Sequence, residues 1–113
     1  MVVEDEPLVR LDAVDMVEDA GFDAVEAANA DEAIRILESR DDIRIVFTDI
    51  HMPGSIDGLK LAHAVRDRWP PISLIVTSGQ MTVRESALPT GGRFFSKPYR
   101  SSEIARALHE FVG

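Results

Sequence analysis

The most constraining feature of the sequence is the run Ile45–Asp49, in which β-branched and aromatic residues lead directly to a carboxylate. A continuous run of this kind predicts a strand that is covered on both faces, as in a parallel sheet packed between helices. Residues 50–54 follow with a Pro-Gly pair and cannot continue the strand. Asp49 is therefore expected at the carboxyl end of a buried strand, where open α/β sheets collect ligands and chemistry.

Composition limits what this strand can belong to. The chain has 113 residues, of which 45% are hydrophobic, so residues 1–113 are predicted to form a single domain with a real core. The formal charge of −8 argues against direct binding to nucleic acid or to an anionic membrane, because both reward basic patches. There is no cysteine and no apolar run long enough to span a bilayer, which favours a cytoplasmic location.

Short β-like runs alternate with helical periodicity, which predicts an α/β fold with a parallel sheet and crossover helices. The predicted strands are a short first strand at Met1–Val3, residues 23–27, Ile45–Asp49, residues 72–76 and Arg93–Ser96. The helices are predicted to begin at Pro7, after an Asn29 cap with Glu32 three positions on, at Gly58, at Met81 and shortly before Ile104. The helix at residues 81–88 has room for only two turns before Pro89 and a Gly-Gly pair, so it is expected to be short or irregular.

Apolar periodicity also predicts which helical residues face the core. The predicted buried positions are Val9, Ala13, Met16, Val17 and Ala20 in the first helix, Ala33, Ile34 and Leu37 in the second, Leu59, Ala62 and Val65 in the third, and Ile104, Ala107, Leu108 and Phe111 in the last.

The strand ends carry polar groups that a parallel sheet would bring to one edge. Glu4 and Asp5 follow the first strand, Asp49 ends the third, Thr77 follows the fourth and Lys97 follows the fifth. Taken singly, each residue has an ordinary explanation as a helix cap, a strand position or a solvated charge. Together, three carboxylates would repel by roughly 4 kcal/mol per pair at about 4 Å, so the cluster favours a cation.

Mg²⁺ suits such a cluster, because it takes carboxylate and water oxygens and is often completed by phosphate oxygens. Lys97 would supply a balancing positive charge, and Thr77 would donate a hydrogen bond to a further oxygen. Groups of this kind stabilise a phosphoryl group during transfer, here to Asp49, where catalysis is chiefly positioning and charge neutralisation.

These motifs together resemble the receiver domain of two-component response regulators, of the kind typified by the chemotaxis regulator, over essentially the whole chain. Residues 2–6 resemble the acidic pair after the first strand, and residues 48–54 resemble the phosphoacceptor loop. Residues 76–79 resemble the switch hydroxyl segment, and residues 94–99 the Lys-Pro signature. The resemblance implies a flavodoxin-like, doubly wound five-stranded parallel sheet in the order 2-1-3-4-5.

The resemblance also implies site roles. Asp49 would accept a phosphoryl group from a histidine kinase or a histidine phosphotransfer protein. Asp5 and Asp49 would ligate Mg²⁺, Glu4 would help through water, and the backbone carbonyl of His51 would complete the protein ligands. The phosphoryl oxygens would be contacted by Thr77 and Lys97.

A conformational switch and a protein partner are implied as well. Thr77 and Phe94 would form the switch, and the bond between Lys97 and Pro98 would be cis. The face between the helix at residues 81–88 and the last helix would bind a second copy of the chain or a downstream protein. The module would not be an enzyme with an external substrate, although it would assist its own phosphorylation and dephosphorylation.

Three features depart from the commonest receiver pattern. Residues 54–57 make the loop after Pro53 one residue longer, the segment from Thr77 to Lys97 is shorter than usual, and the first strand is short of residues.

Other functions remain open. One alternative is a receiver-like binding module that works without phosphorylation. A haloacid-dehalogenase-type phosphatase would need a second Asp where this chain has His51, and a flavodoxin-like cofactor binder would need a hydroxyl-rich loop after the first strand.

Overall fold

The structure is a computed structural model that describes residues 1–50, 57–79 and 87–112. Its strands are β1 (Val2–Val3), β2 (Glu26–Ala27), β3 (Ile45–Asp49), β4 (Ser73–Ser78) and β5 (Arg93–Ser96). The helices in the described ranges are α1 (Pro7–Asp19), α2 (Ala30–Ser39), α3 (Gly58–Arg68) and α4 (Ser101–Val112). The strands form one parallel sheet in the order β2-β1-β3-β4-β5, which confirms the predicted fold class.

Two predictions concern residues that the structure does not describe. The helix predicted at residues 81–88 lies outside the described ranges apart from its last two residues. The extended loop after Pro53 also lies outside them, apart from Asp57.

The fourth strand is longer than predicted. It was expected over residues 72–76, but β4 runs on through Thr77 to Ser78. Asp49 pairs with Thr77 on one side, Phe95 pairs with Thr77 on the other, and the N–H of Ile50 donates to the Thr77 carbonyl at 2.9 Å. Because the ladder persists on both sides, Thr77 stays inside the sheet and the predicted strand end was wrong by two residues.

The second strand is shorter than predicted. Residues 23–27 were expected to be extended, yet β2 contains only Glu26 and Ala27. Its partner in the sheet is β1, which is itself two residues long, so only two residues find a register partner.

Side-chain caps fix the starts of two helices. The Asn29 side chain accepts from the Glu32 N–H at 2.8 Å, which confirms the predicted cap of α2. Asp57 caps α3 in the same way, accepting from the Lys60 N–H at 2.8 Å. At the other end of α1, Gly21 has a φ of +96°, a conformation that glycine adopts without strain.

The core lies in two layers, one on each face of the sheet. Val3, Val46 and Val76 face α2 and α3, whereas Val2, Phe47 and Ile75 face α1 and α4. The predicted stripes are largely confirmed, with Val14 and Leu61 buried in addition and Val9, Met16, Ala20, Ile34, Leu59 and Phe111 only half-buried. No helix in the described ranges has the length and apolar character that a membrane crossing needs.

Candidate functional site

Buried polar side chains collect at the carboxyl edge of the sheet. Asp49 ends β3 and is 8% exposed, Thr77 beside it in β4 is 1% exposed, and Glu4, just after β1, is 5% exposed. Lys97 follows β5 at the same edge. Buried charges are rare in proteins unless they are paired, so this edge is the polar exception in an apolar interior.

The ammonium group of Lys97 contacts two of the three predicted carboxylates. Its Nζ donates to Oδ2 of Asp49 at 2.9 Å and lies 3.5 Å from Oε1 of Glu4. Burial alone lowers the pKa of Lys97, but the hydrogen bond and charge of Asp49, with the charge of Glu4, raise it above its ordinary value. Lys97 is therefore a permanent positive charge between Glu4 and Asp49.

The backbone around Lys97 is held to the sheet and to the core. The N–H of Lys97 donates to the carbonyl of Ser78 at 2.9 Å. The peptide bond between Lys97 and Pro98 is cis, as the resemblance to receiver domains implied. The ring of Tyr99 packs edge-on against Phe47 at 5.9 Å between centroids, and burial raises the pKa of its hydroxyl.

Glu4 is held in an environment that resists its ionisation. Burial raises the pKa of Glu4 to about 7, and a hydrogen bond with Asp5 and the charge of Asp49 act in the same direction. The N–H of Glu6, which donates to Oε2 of Glu4 at 3.2 Å, and the charge of Lys97 oppose the shift. The carboxyl groups of Glu4, Asp5 and Asp49 therefore interact, and their joint ionisation favours a bound cation.

The donor set fits Mg²⁺. In the part of the chain that the structure describes, no three Asp, Glu, His or Cys side chains are grouped to hold a metal ion. Mg²⁺ does not need such a group, because it keeps several waters and is usually bound through one or two carboxylates. Glu4 and Asp49 already reach a single cationic group, and the Asp5 side chain contributes to the raised pKa of Glu4. His51, whose carbonyl was the other predicted ligand, lies outside the described residues.

The hydroxyl of Thr77 has no hydrogen-bond partner among the described residues, although it is completely buried. Leaving a buried polar group unpaired costs about 1–3 kcal/mol. Thr77 is the register partner of Asp49. An acceptor atom bound beside Asp49 would satisfy this hydroxyl.

Phe94, the predicted switch aromatic, lies in β5 and is half-buried. It pairs in register with Val76 and packs against the core layer under α2 and α3. The ring is therefore placed beside the strand that carries Thr77.

Gly58 is a site residue that sequence reasoning treated only as the start of a helix. A Cβ at this position would stand 1.9 Å from the carbonyl oxygen of Asp49. The Gly58 N–H also donates to the carbonyl of Ile50 at 3.0 Å, so α3 begins directly against the end of β3. Its only sequence signal was a glycine at the first position of the predicted third helix.

The chain matches the family model of the response regulator receiver domain over residues 1–109. An NtrX-like response regulator from Rickettsia felis is 31% identical over 96% of this chain and 23% of its own length. The sensor kinase CckA of Brucella abortus is 31% identical over 99% of this chain and 12% of its own length. The crystal structure of a response regulator receiver protein from Sinorhizobium medicae superimposes with a TM-score of 0.90 at 26% identity, covering 98% of this chain and 90% of that chain.

The chain therefore belongs to the response regulator receiver domain family, as its motifs predicted. It is a module of the two-component signalling class. It spans less than a quarter of the NtrX-like relative, at 23%, and 12% of the sensor kinase, so it corresponds to one part of each protein.

Proposed function

We propose that this chain is a phosphoacceptor domain in which Asp49 takes a phosphoryl group from a histidine kinase or a histidine phosphotransfer protein. The observation that carries the proposal is the buried hydroxyl of Thr77 beside Asp49, which has no hydrogen-bond partner among the described residues, with the Lys97 ammonium already bonded to that carboxylate. These are the groups that a phosphoryl group on Asp49 would require, a hydrogen-bond donor and a positive charge.

In the transfer, a carboxylate oxygen of Asp49 attacks phosphorus, the phosphorus–nitrogen bond of phosphohistidine breaks, and the imidazole leaves with the bonding electron pair. The product is an acyl phosphate on Asp49. Lys97, which is hydrogen-bonded to Asp49 in this structure, would move its contact to a phosphoryl oxygen, and Thr77 would donate to another. The phosphoryl group would therefore replace one existing hydrogen bond of Lys97 and supply an acceptor for the Thr77 hydroxyl, which has none among the described residues.

Charge neutralisation is the remaining requirement, because a phosphoryl dianion must approach three carboxylates. Asp5, Asp49 and the backbone carbonyl of His51 would hold Mg²⁺, with Glu4 acting through water. When bound, Mg²⁺ would neutralise negative charge on the phosphoryl oxygens and on the acidic residues.

The signal would leave the site through Thr77 and Phe94. As the Thr77 hydroxyl turns toward a phosphoryl oxygen, space opens beside β5 and the Phe94 ring can turn inward. The surface of β5 and α4 would then bind a second copy of the chain or a downstream protein, rather than nucleic acid or a membrane. Only a difference in partner affinity between the two ring positions can shift the population.

The test is phosphorylation by acetyl phosphate, followed by the mass of the intact protein. Wild type with Mg²⁺ should gain one phosphoryl group, and a chelator should prevent the gain. Asp49→Asn should abolish labelling, whereas the control Asp67→Asn, at an exposed position of α3, should be labelled like wild type. Labelling that persists in the Asp49 variant would overturn the assignment.

Two further measurements separate the residue roles. Asp5→Ala should weaken Mg²⁺ binding more than Glu4→Ala, since Asp5 is proposed as a direct ligand and Glu4 as a water-mediated one. Amide exchange with and without beryllofluoride, a phosphoryl mimic, should change around Phe94 and across residues 79–92. Unchanged exchange in an occupied site would place the switch elsewhere.

A wild-type chain that never accepts a phosphoryl group, from acetyl phosphate or from a kinase, would instead favour a receiver-like module that works by binding alone. Continuous release of phosphate from an added phosphate monoester would instead support the haloacid-dehalogenase-type phosphatase. That residues 1–113 act as one domain, and that they do so in the cytoplasm, stay predictions.

A further inference from the structure

Arg10 on α1 makes two side-chain contacts beside the acidic loop. Its Nη1 donates to the backbone carbonyl of Glu4 at 2.9 Å, and its Nε donates to Oε1 of Glu26 at 3.1 Å. The Arg10 side chain is 19% exposed, against 51% for Glu26. The Arg10 side chain is thus largely covered, and it donates to the edge strand β2 and to the loop that follows β1.

The carbonyl that Arg10 binds belongs to the peptide bond between Glu4 and Asp5. On the other side of the same residue, the N–H of Glu4 donates to the carbonyl of Ala27 at 3.1 Å. Both backbone groups of Glu4 are therefore held, one by β2 and one by Arg10. Because a peptide unit is planar, a hydrogen bond to its carbonyl also fixes the direction in which the chain enters Asp5.

We propose that Arg10 is a positioning residue for cation binding, which it supports by holding the peptide plane between Glu4 and Asp5. The inference rests on the proposed function, in which Asp5 binds Mg²⁺ directly. The planar fork of arginine suits this role, since it presents two donors in a fixed geometry to the Glu4 carbonyl and to Glu26. Lysine offers one compact charge and cannot reproduce both contacts with the same geometry.

Positioning and simple electrostatics make opposite predictions at this residue. Arg10 is a positive charge beside an acidic loop, so removing that charge should strengthen Mg²⁺ binding if charge were its only effect. If Arg10 positions Asp5, the same substitution should weaken Mg²⁺ binding. The sign of the change therefore distinguishes the two roles.

The experiment is calorimetric titration of Mg²⁺ into the full chain, with no phosphodonor present. Arg10→Gln should weaken binding by about tenfold, the lower end of the effect of residues that orient metal ligands. In parallel, the Mg²⁺ concentration that half-saturates labelling by acetyl phosphate should rise by the same factor. The rate at saturating Mg²⁺ should stay within about twofold of wild type, because the reacting groups are intact.

Three variants control the measurement. Glu26→Gln removes the ion pair but leaves the Glu4 carbonyl contact, and Arg106→Gln removes one exposed positive charge from α4. Both should bind Mg²⁺ within about twofold of wild type, because surface charges are screened. Arg10→Lys keeps the charge but loses the fork, and should weaken binding by a few-fold even if Arg10→Gln folds poorly.

Mg²⁺ binding by Arg10→Gln that is as tight as wild type, or tighter, would overturn the proposal. So would a loss in Glu26→Gln equal to that in Arg10→Gln, because the ion pair alone would then explain the effect. Wild type that binds no Mg²⁺ would overturn the proposed function itself, an outcome that is distinct from both.

Discussion

Strands β3 and β4 differ from β5 in burial, although all three deliver residues to the site. Every residue of β3 is buried and five of the six in β4 are, whereas β5 has three half-buried residues and one exposed residue. Asp49 and Thr77 therefore lie at the centre of the sheet, and Lys97 lies at its margin. Segments with fewer buried contacts open at lower free energy, so a response to phosphorylation is expected on the β5 side.

The attachments of β5 to its neighbouring helix are also weak. Arg93 pairs with Glu110 of α4, with side chains that are 39% and 54% exposed. Within β5 itself, the guanidinium group of Arg93 lies over the ring of Phe95, 5.7 Å from its centroid. Exposed contacts of this kind usually contribute less than about 1 kcal/mol, so at this margin they add little to the packing of the half-buried rings of Phe94 and Phe95 against the two core layers.

The largest expected effect is at the centre. Gly58→Ala should lower the free energy of unfolding by about 3 kcal/mol, because its Cβ would have to displace the backbone of Asp49. The matched control is Gly79→Ala after β4, where among the described residues a Cβ meets the Lys97 side chain alone, at 3.6 Å, and the change should stay within about 0.5 kcal/mol. Urea unfolding measures both variants, and equal losses would show that the contact at Gly58 does not control stability.

The next effect concerns Lys97, the positively charged side chain at the margin of the sheet. Lys97→Met should strengthen Mg²⁺ binding by about fivefold, since roughly 1 kcal/mol of repulsion between Lys97 and a bound metal is removed. Titration calorimetry measures the change, and Lys60→Met, an exposed lysine on α3, is the control for net charge. Weaker binding in Lys97→Met would mean that the lysine organises the carboxylates instead of competing for them.

A smaller effect should depend on pH. The pKa of Glu4 is about 7 in the folded protein against 4.5 for an ordinary glutamate, so folded protein binds the proton more tightly. Protonated Glu4 therefore adds to the free energy of unfolding at low pH, and this contribution is lost as pH rises from about 4.5 to about 7. Glu4→Gln cannot ionise, and without Mg²⁺ it should be more stable than wild type by about 1 kcal/mol at pH 8, with the difference shrinking toward pH 5.

The same pH series on Glu18→Gln, at an exposed position of α1, is the control for a lost surface charge. It should track wild type throughout. A Glu4→Gln variant whose advantage does not change with pH would contradict the raised pKa.

The smallest effect should come from the margin itself. Glu110→Gln removes the exposed ion pair with Arg93 and should change the free energy of unfolding by less than about 0.5 kcal/mol. Thermal unfolding at low and at high salt checks this, because any contribution of the pair should fall as salt screens it. If Glu110→Gln lowered the free energy of unfolding as much as Gly58→Ala, the centre and the margin of the sheet would not differ in their importance for stability.

The sequence alone determined the α/β class, the parallel sheet and the cap at Asn29, and it predicted the polar residues of the candidate site. Each of these depends on information within a short stretch: an apolar run that ends in Asp49, a helical period, a cap residue with its partner three positions on. The family resemblance then supplied strand order and residue roles, because the motifs stand at fixed places along such a chain. Lys97 and Asp49, 48 residues apart, were expected together already because both stand at the carboxyl ends of parallel strands, and they are hydrogen-bonded.

The tertiary structure alone decided contacts that no local pattern encodes. The length of β4 depends on neighbours that pair with Thr77 on both sides, and the need for glycine at position 58 depends on how closely α3 approaches β3. The bond from Arg10 to Glu4 depends on where the first turns of α1 lie over the loop. Side-chain periodicity specifies which face of an element is apolar, but distances between elements are set only when all the elements pack together.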